Sequence, residues 1–409
     1  MRNKGYLSIC LLLSLLLSSC SSGQSRRNSG LPGIKPLENG KVTPAVICIK
    51  DPATSYSVYL PKSYSEQKKF PVILAFDPQG SGNIPVEKYK DLAERYGTIL
   101  IGSNNSKNGQ PINETENIIY SLFEEMGLRF SLDSTRIYVM GFSGGARVAS
   151  LIALYRGGTR GMIGCGAGFS GSDQPARFRF DYIGFAGNAD FNMNELINLD
   201  EQLEKANFRH ALVIFDGKHE WPPVEIMEYA FLWNEFCAMK DGSIDKNIYK
   251  IADFLARVRQ TLQQAEDQHS LYQKKLALQL MIRFLQGLDP VDKEKKELKE
   301  LLSTENYKKE EKKINTVKEK EMQEQQMFTE NFFVRDSSWW KKKITNYELR
   351  ITNGKDQQDV LMCKRIMSYL SLLAYMNYSN ASKSGAKEKA DFALHVYRLV
   401  DPENAAKIK

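Results

Sequence analysis

The chain reads as an α/β protein, with a mostly parallel sheet covered by helices over residues 43–240 and an all-helical segment over residues 241–409. Three observations predict this. Up to about residue 240, short β-branched or apolar runs alternate with amphipathic stretches, giving strand, helix, strand in repetition. Several of those runs are apolar throughout, as strands buried on both faces must be. Beyond residue 241 the β-branched runs stop, and Leu, Ile, Met and aromatic residues recur at helical spacing.

Taken in order, strands are predicted at Tyr56–Leu60, Pro71–Phe76, Thr98–Ser103, Arg136–Met140, Met162–Ala167, Tyr182–Ala186 and Ala211–Phe215. Helices fall between them at Val86–Tyr96, Thr115–Leu128, Gly145–Tyr155, Met193–Ala206 and Val224–Met239. The connections are short and none is long enough to form a lid domain, so an open site is expected. In the second segment Ile248, Ile251, Phe254, Leu255 and Val258 make one apolar stripe. Leu276, Leu280, Ile282, Phe284 and Leu285 contribute to another, and Leu361, Ile366, Met367, Leu370, Leu373 and Ala374 to a third. Such stripes bury against neighbouring helices and read as core, not cofactor contacts.

Between Val291 and Gln325 ten Lys are balanced by ten acidic residues at helical spacing, which suits a solvated helix laced with ion pairs. The closing stretch, Lys389 to Asn404, resembles the second helix and terminal Asp-Pro of a tetratricopeptide repeat, although no 34-residue period precedes it. A repeat-like helical domain that presents a surface to a protein partner is one expectation for residues 241–409.

The N-terminus carries an address. Arg2 and Lys4 precede an apolar run, Ile9 to Leu17, of signal-peptide length and too short for a span. The run closes on Leu17-Ser18-Ser19-Cys20, which resembles the lipobox of bacterial lipoproteins and implies a lipid on Cys20 as the mature N-terminus. Residues 21–42, rich in Ser, Gly and Arg at their start, read as a flexible tether. Lacking an acidic cluster, the tether points, by resemblance to other lipoproteins, to the periplasmic face of an outer membrane.

The remaining composition is that of a soluble globular protein of about 390 mature residues, enough for two structural units. A net charge of +7, part of it in the signal peptide and tether, gives no reason to expect a nucleic-acid partner. In an oxidising compartment Cys48, Cys165, Cys237 and Cys363 could pair, but they are far apart and lack CxxC spacing. Metal ligation is not expected; buried free thiols are the default, and pairing stays open.

The strongest chemical signal is Gly141-Phe142-Ser143-Gly144-Gly145, directly after a predicted strand and directly before a predicted helix. GxSxG in that context is a nucleophile elbow, whose glycines let strand and helix approach while the serine sits in strained backbone. A serine needs a base, and the base needs a carboxylate to hold its tautomer. His219 lies just past the last predicted strand, at the edge where the other strands deliver their loops. His210 begins that strand at the opposite edge, and His269 and His395 belong to the helical segment. Asp190 ends the preceding strand and completes the order Ser, acid, His; Asp216 and Glu220, neighbours of His219, are weaker alternatives.

Oxyanion donors are expected from the amide of Gly144 and from the loop after Pro71–Phe76. Pro78 has no amide hydrogen, so Gln79 is the first choice there and Gly80 the second. Phe142, Phe191 and Trp221 flank the triad and are candidates to line a substrate pocket.

Two further stretches carry a family resemblance over residues 50–240. Leu132-Asp133-Ser134-Thr135-Arg136-Ile137-Tyr138-Val139-Met140 before GFSGG, and His219-Glu220-Trp221-Pro222 after the last strand, resemble the esterases related to polyhydroxybutyrate depolymerases and feruloyl esterases. The resemblance implies an α/β-hydrolase of the cell envelope with Ser143, Asp190 and His219 as its triad. It also implies an acyl or feruloyl ester substrate, small or borne on a polymer. The chain departs from the family in Asp77-Pro78, where His-Gly is usual, and in Phe191-Asn192-Met193 after the acid. The expected activity is carboxylic ester hydrolysis with no metal or organic cofactor. A serine peptidase of the same fold, or a catalytically silent envelope scaffold, are the alternatives.

Overall fold

The computed structural model describes residues 36–170 and 178–408. Residues 1–35, which include the expected signal peptide, Cys20 and most of the expected tether, lie outside them. Eight strands form one sheet: β1 (Val42–Ile47), β2 (Ser55–Tyr59), β3 (Phe70–Phe76), β4 (Ile99–Ser103), β5 (Leu132–Phe142), β6 (Gly161–Cys165), β7 (Asp181–Gly187) and β8 (His210–Phe215). Their spatial order is β1-β2-β4-β3-β5-β6-β7-β8, with β2 antiparallel to both its neighbours and every pair from β4 to β8 parallel. This is the α/β-hydrolase sheet. Central register sets Leu74 between Ile101 and Val139, apolar on both faces, as the continuous runs require.

The first strand was not expected from the sequence, and Pro44 explains why. Proline cannot donate to a ladder and is confined to edges or irregularities. β1 is an edge strand, and its register breaks between Thr43 and Val46.

Helices α1 (Asn83–Arg95) and α5 (Val224–Lys240) pack on one face, where Tyr89, Leu92, Phe231 and Phe236 join Ile73, Met140 and Phe185 in one core. On the other face α2 (Ile112–Arg129), α3 (Gly144–Leu151) and α4 (Met193–Lys205) bring Leu122, Ala149 and Leu203 against Val72, Leu74 and Val139. The predicted helix Gly145–Tyr155 is α3 followed by a π-helical turn, Ile152–Arg156.

The change of element type near residue 241 is not a break in the core. α5 is buried around most of its circumference, including Phe231, Trp233 and Phe236, so its outer side needs a cover. α6 (Ile248–Asp267) and α7 (Leu271–Leu285) supply it: Phe254, Val258, Met281 and Phe284 belong to the same cluster as the sheet residues. Phe254 stacks on Phe284 at 4.4 Å, and both meet Phe236 edge-on.

The charged block divides into α8 (Asp292–Ser303) and α9 (Glu305–Glu330), with Thr304 capping α9 by accepting from the Tyr307 amide. α10 (Ser337–Asn353), α11 (Gln357–Lys383), α12 (Lys387–Val400) and the short α13 (Pro402–Ala405) then close a separate core around Phe328, Trp340, Ile366 and Val396.

Polar links tie these helices to the sheet and its α4, among them Lys318 of α9 to Asn198 of α4. Arg283 of α7 bridges Asp200 at 2.6 Å and Glu204 at 2.7 Å on α4. Arg365 of α11 makes a buried ion pair with Glu321 of α9 and donates from Nη1 to the carbonyl of Asn188 at 2.9 Å. No described helix is long and apolar enough to cross a membrane. The four cysteines in the described residues are free and buried. Cys48 and Cys165 lie in different core clusters and do not pair.

Candidate active site

The parallel strands deliver their following loops to one edge of the sheet, and the site is built there. β5 runs into α3 through Ser143, whose backbone sits at φ 52° and ψ −120°, a region that costs about 1–3 kcal/mol to hold. The surroundings over-determine it. The Ser143 amide donates to the Cys165 carbonyl at 2.8 Å, and its own carbonyl receives the Ala146 amide at 3.0 Å. A Cβ on Gly141 would stand 2.1 Å from the Gly145 carbonyl oxygen, and one on Gly145 would stand 2.0 Å from that of Phe76. Strand β3, strand β5 and helix α3 can therefore meet only with hydrogen at those two positions.

His219 enters from the loop after β8. Its Nε2 lies 2.9 Å from the Ser143 Oγ, and its Nδ1 lies 2.9 Å from the Asp190 Oδ1. The pairing fixes the tautomer: Nδ1–H donates to the carboxylate, which leaves Nε2 to accept from the serine hydroxyl. Asp190, at 0% exposure, also accepts the Asn192 amide at 2.8 Å on the same oxygen. The imidazole is held between Phe191, with centroids 4.3 Å apart, and Phe142, at 4.7 Å.

The base loop is braced from α1. Lys88 donates to the Trp221 carbonyl at 2.8 Å, and the Tyr89 hydroxyl to the Pro222 carbonyl at 2.7 Å. The acid loop is braced from its sides: the Asn188 amide reaches the Phe215 carbonyl, the Ala189 amide reaches the Gly217 carbonyl, and Asn192 Nδ2 donates to the Gly166 carbonyl. Gly166 has φ 63°, and a Cβ there would stand 2.8 Å from the Phe142 ring and 3.1 Å from the Asp190 Oδ2.

Two expectations need correction. The amides of Gln79 and Gly80, proposed as second oxyanion donors, both turn to Asp77: the first donates to its Oδ1 at 2.9 Å, the second to its carbonyl at 3.0 Å. An aspartate that begins a turn captures the amide two residues on, and Asp77-Pro78-Gln79-Gly80 is such a turn. Trp221 is not a pocket wall. At 6% exposure it packs on Tyr89 and Phe142, and its indole nitrogen donates to the Asp77 Oδ2 at 2.9 Å.

Gly144 begins α3, so its amide has no carbonyl one turn earlier and stands beside the serine as a free donor. His210, His269 and His395 stay away from this cluster. His210 contacts the Phe208 carbonyl and His395 the Ser337 hydroxyl. Among the described residues no group of His, Cys, Asp and Glu is arranged to hold a metal ion.

Asn108, Gly166 and Arg365 were not singled out from the sequence, and Asp77 and Asn192 stood out there only as departures from the family resemblance, without a role in the site. Of these only Asp77 carries a local signal, its turn-forming position before proline.

The site and sheet together are those of an α/β-hydrolase with a Ser-His-Asp arrangement. No family model matches the chain, and no curated protein matches it. Among solved structures, an S-formylglutathione hydrolase from Staphylococcus aureus is 14% identical with a TM-score of 0.41, over 49% of this chain and 99% of that one. Esterase 2 of Thermogutta terrifontis, phosphonylated by sarin, is 13% identical with a TM-score of 0.39, over 52% and 99%. A ferulic acid esterase is 17% identical with a TM-score of 0.37, over 46% and 94%. The fold assignment rests on strand order and polarity, and the site on its own geometry.

Proposed function

We propose that the protein is a serine hydrolase of carboxylic esters, working by acyl transfer through Ser143, His219 and Asp190. The observation that carries this reading is the relay of two 2.9 Å contacts, Ser143 Oγ to His219 Nε2 and His219 Nδ1 to Asp190 Oδ1, on a serine held at φ 52°. In the first step the Ser143 Oγ bonds to the ester carbonyl carbon, its proton passes to His219 Nε2, and the carbonyl π pair moves to oxygen. The Gly144 amide donates to that oxyanion. Collapse expels the alcohol, protonated by His219, and leaves an acyl-serine. Water, deprotonated by His219, then attacks the acyl carbon; the acyl–Oγ bond breaks as His219 returns the proton to Ser143 Oγ, which releases the carboxylic acid and restores the free enzyme.

Asp190 keeps the imidazole in the productive tautomer and stabilises the imidazolium formed in each step. Its burial strengthens that interaction, since little water competes for the carboxylate. Envelope location, with a lipid on Cys20, rests on the Leu17-Ser18-Ser19-Cys20 sequence. Polymer-borne or small esters are the substrates that an enzyme so tethered would meet.

The test is labelling of residues 21–409 with a fluorophosphonate probe beside Ser143→Ala and His219→Ala. Wild-type labelling that is lost in both variants is expected. A folded wild type that does not label refutes the reading.

A further inference from the structure

A tetrahedral oxyanion is stabilised by donors on two sides, and the loop after β3 does not offer the expected one. Pro78 has no amide hydrogen, and the Gln79 and Gly80 amides are both spent on Asp77. The loop after β4 occupies the same corner. Its Asn108 amide donates to the Pro78 carbonyl at 2.8 Å, and Lys107 pairs with Gln79 in a single antiparallel bridge. Gly80, at φ 70°, lets the two loops close: a Cβ there would stand 3.2 Å from the Asn104 carbonyl oxygen. Asn108 is thus fixed by its backbone to the very loop that would have carried the donor.

Its side chain is aimed at the elbow. The Asn108 Oδ1 lies 1.7 Å, Cγ 2.6 Å and Nδ2 3.0 Å from where a Cβ on Gly144 would sit. The carboxamide fills the space that glycine leaves beside the nucleophile. Nitrogen and Cβ of one residue are about 2.5 Å apart, which puts the tip of Asn108 within about 4 Å of the Gly144 amide. One oxygen can accept from two donors so spaced. The carboxamide makes no hydrogen bond within the described residues, so nothing prevents it from turning its NH2 group to an incoming oxyanion; which end faces Gly144 is a matter of a half-turn about one bond.

We propose that Asn108 Nδ2 is the second oxyanion donor, a catalytic residue contributed by the loop after β4 in place of a backbone amide from the loop after β3. The inference rests on the serine-hydrolase reading. When Ser143 attacks, the carbonyl oxygen gains the electron pair and accepts hydrogen bonds from the Gly144 N–H and the Asn108 Nδ2–H; no proton is transferred to it. Glycine at 144 is then a functional requirement, since any side chain there would displace the carboxamide.

The experiment compares wild type, Asn108→Ala and Asn108→Asp in residues 21–409, measuring the fluorophosphonate labelling rate and kcat and KM on a p-nitrophenyl ester. Asn108 is exposed, so neither change should disturb folding, and circular dichroism checks this. Loss of an oxyanion donor lowers kcat by about 10²–10³ with KM little changed. Asn108→Asp should fall further than Asn108→Ala, because a carboxylate of the same shape repels the oxyanion. An active wild type with Asn108→Ala within about threefold of it would overturn the assignment of Asn108 alone. A folded wild type that neither labels nor turns over would remove the serine-hydrolase reading and this inference with it.

Discussion

Replacing Arg365 by methionine would strand the Glu321 carboxylate in a site from which water is excluded. Glu321 is 0% exposed and Arg365 is 3% exposed. The guanidinium donates from Nε to both carboxylate oxygens, at 3.0 and 2.9 Å, and from Nη2 at 2.7 Å. Removing one partner of such a pair costs about 3–5 kcal/mol, because the remaining charge is buried without compensation. That corresponds to a folded-to-unfolded ratio lower by roughly a hundred- to several-thousandfold. Urea unfolding should show it as a lower midpoint. The double variant Glu321→Leu/Arg365→Met should regain most of the loss, since an apolar pair of similar volume replaces a buried ion pair at little cost.

Activity separates the two roles of Arg365. Its Nη1 also holds the carbonyl of Asn188, two residues before Asp190. The double variant should recover stability and still show reduced kcat, because the acid loop has lost that anchor. A single variant within about 1 kcal/mol of wild type, or a double variant no more stable than the single, would refute the reasoning.

Gly145→Ala should be destabilised by about 1–3 kcal/mol and lose labelling at Ser143, as its Cβ would meet the Phe76 carbonyl; Gly127→Ala, an exposed helical position in α2 with open space around it, should instead gain about 0.5–1 kcal/mol in thermal unfolding. Burial, aided by Glu125 and Asp51, pushes the Cys48 thiol up to about 12, burial pushes that of Cys363 up to about 11, and burial holds those of Cys165 and Cys237 well above the ordinary range. At pH 8 the native protein should therefore give no rapid reaction with a thiol reagent, while unfolding without reductant should release all four; release of two would mean a disulfide. Burial opposes the charge on Asp200, but His210 at 3.2 Å and Arg283 at 2.6 Å outweigh it and hold its carboxyl below the ordinary value. Its contribution to stability is thus complete above about pH 4 and is lost as pH falls through the lower folded value, so Arg283→Met should flatten the acid limb of a stability–pH curve; an unchanged limb would refute this.

The elements at the catalytic edge were legible in the sequence because each depends on its neighbours along the chain. Gly141-Phe142-Ser143-Gly144-Gly145 states its own geometry: a strand before, a helix after, and glycines where carbonyls approach. Parallel strands send their loops to one edge, so Asp190 after β7 and His219 after β8 had to arrive beside Ser143. The oxyanion loop was half legible. Asp77-Pro78-Gln79-Gly80 is a turn by composition, and the aspartate's hold on the Gln79 amide is local to it, but the bond of its other oxygen to the Trp221 indole comes from a residue 144 positions away.

Only the tertiary structure decided the rest. α5 is predicted as a helix, but that it is buried around most of its circumference, and that α6 and α7 cover its outer side and join the sheet's core across residue 241, appears only in the assembled structure. The pairing of Glu321 with Arg365, and of Arg365 with the Asn188 carbonyl 177 residues earlier, has no periodicity to betray it. Neither has the meeting of Asn108 with Gly144. Local pattern fixes which way a chain turns and which face it buries, because those depend on backbone sterics and spacing within a few residues. Which distant polar groups meet is set by how the layers pack, and that is a property of the assembled volume.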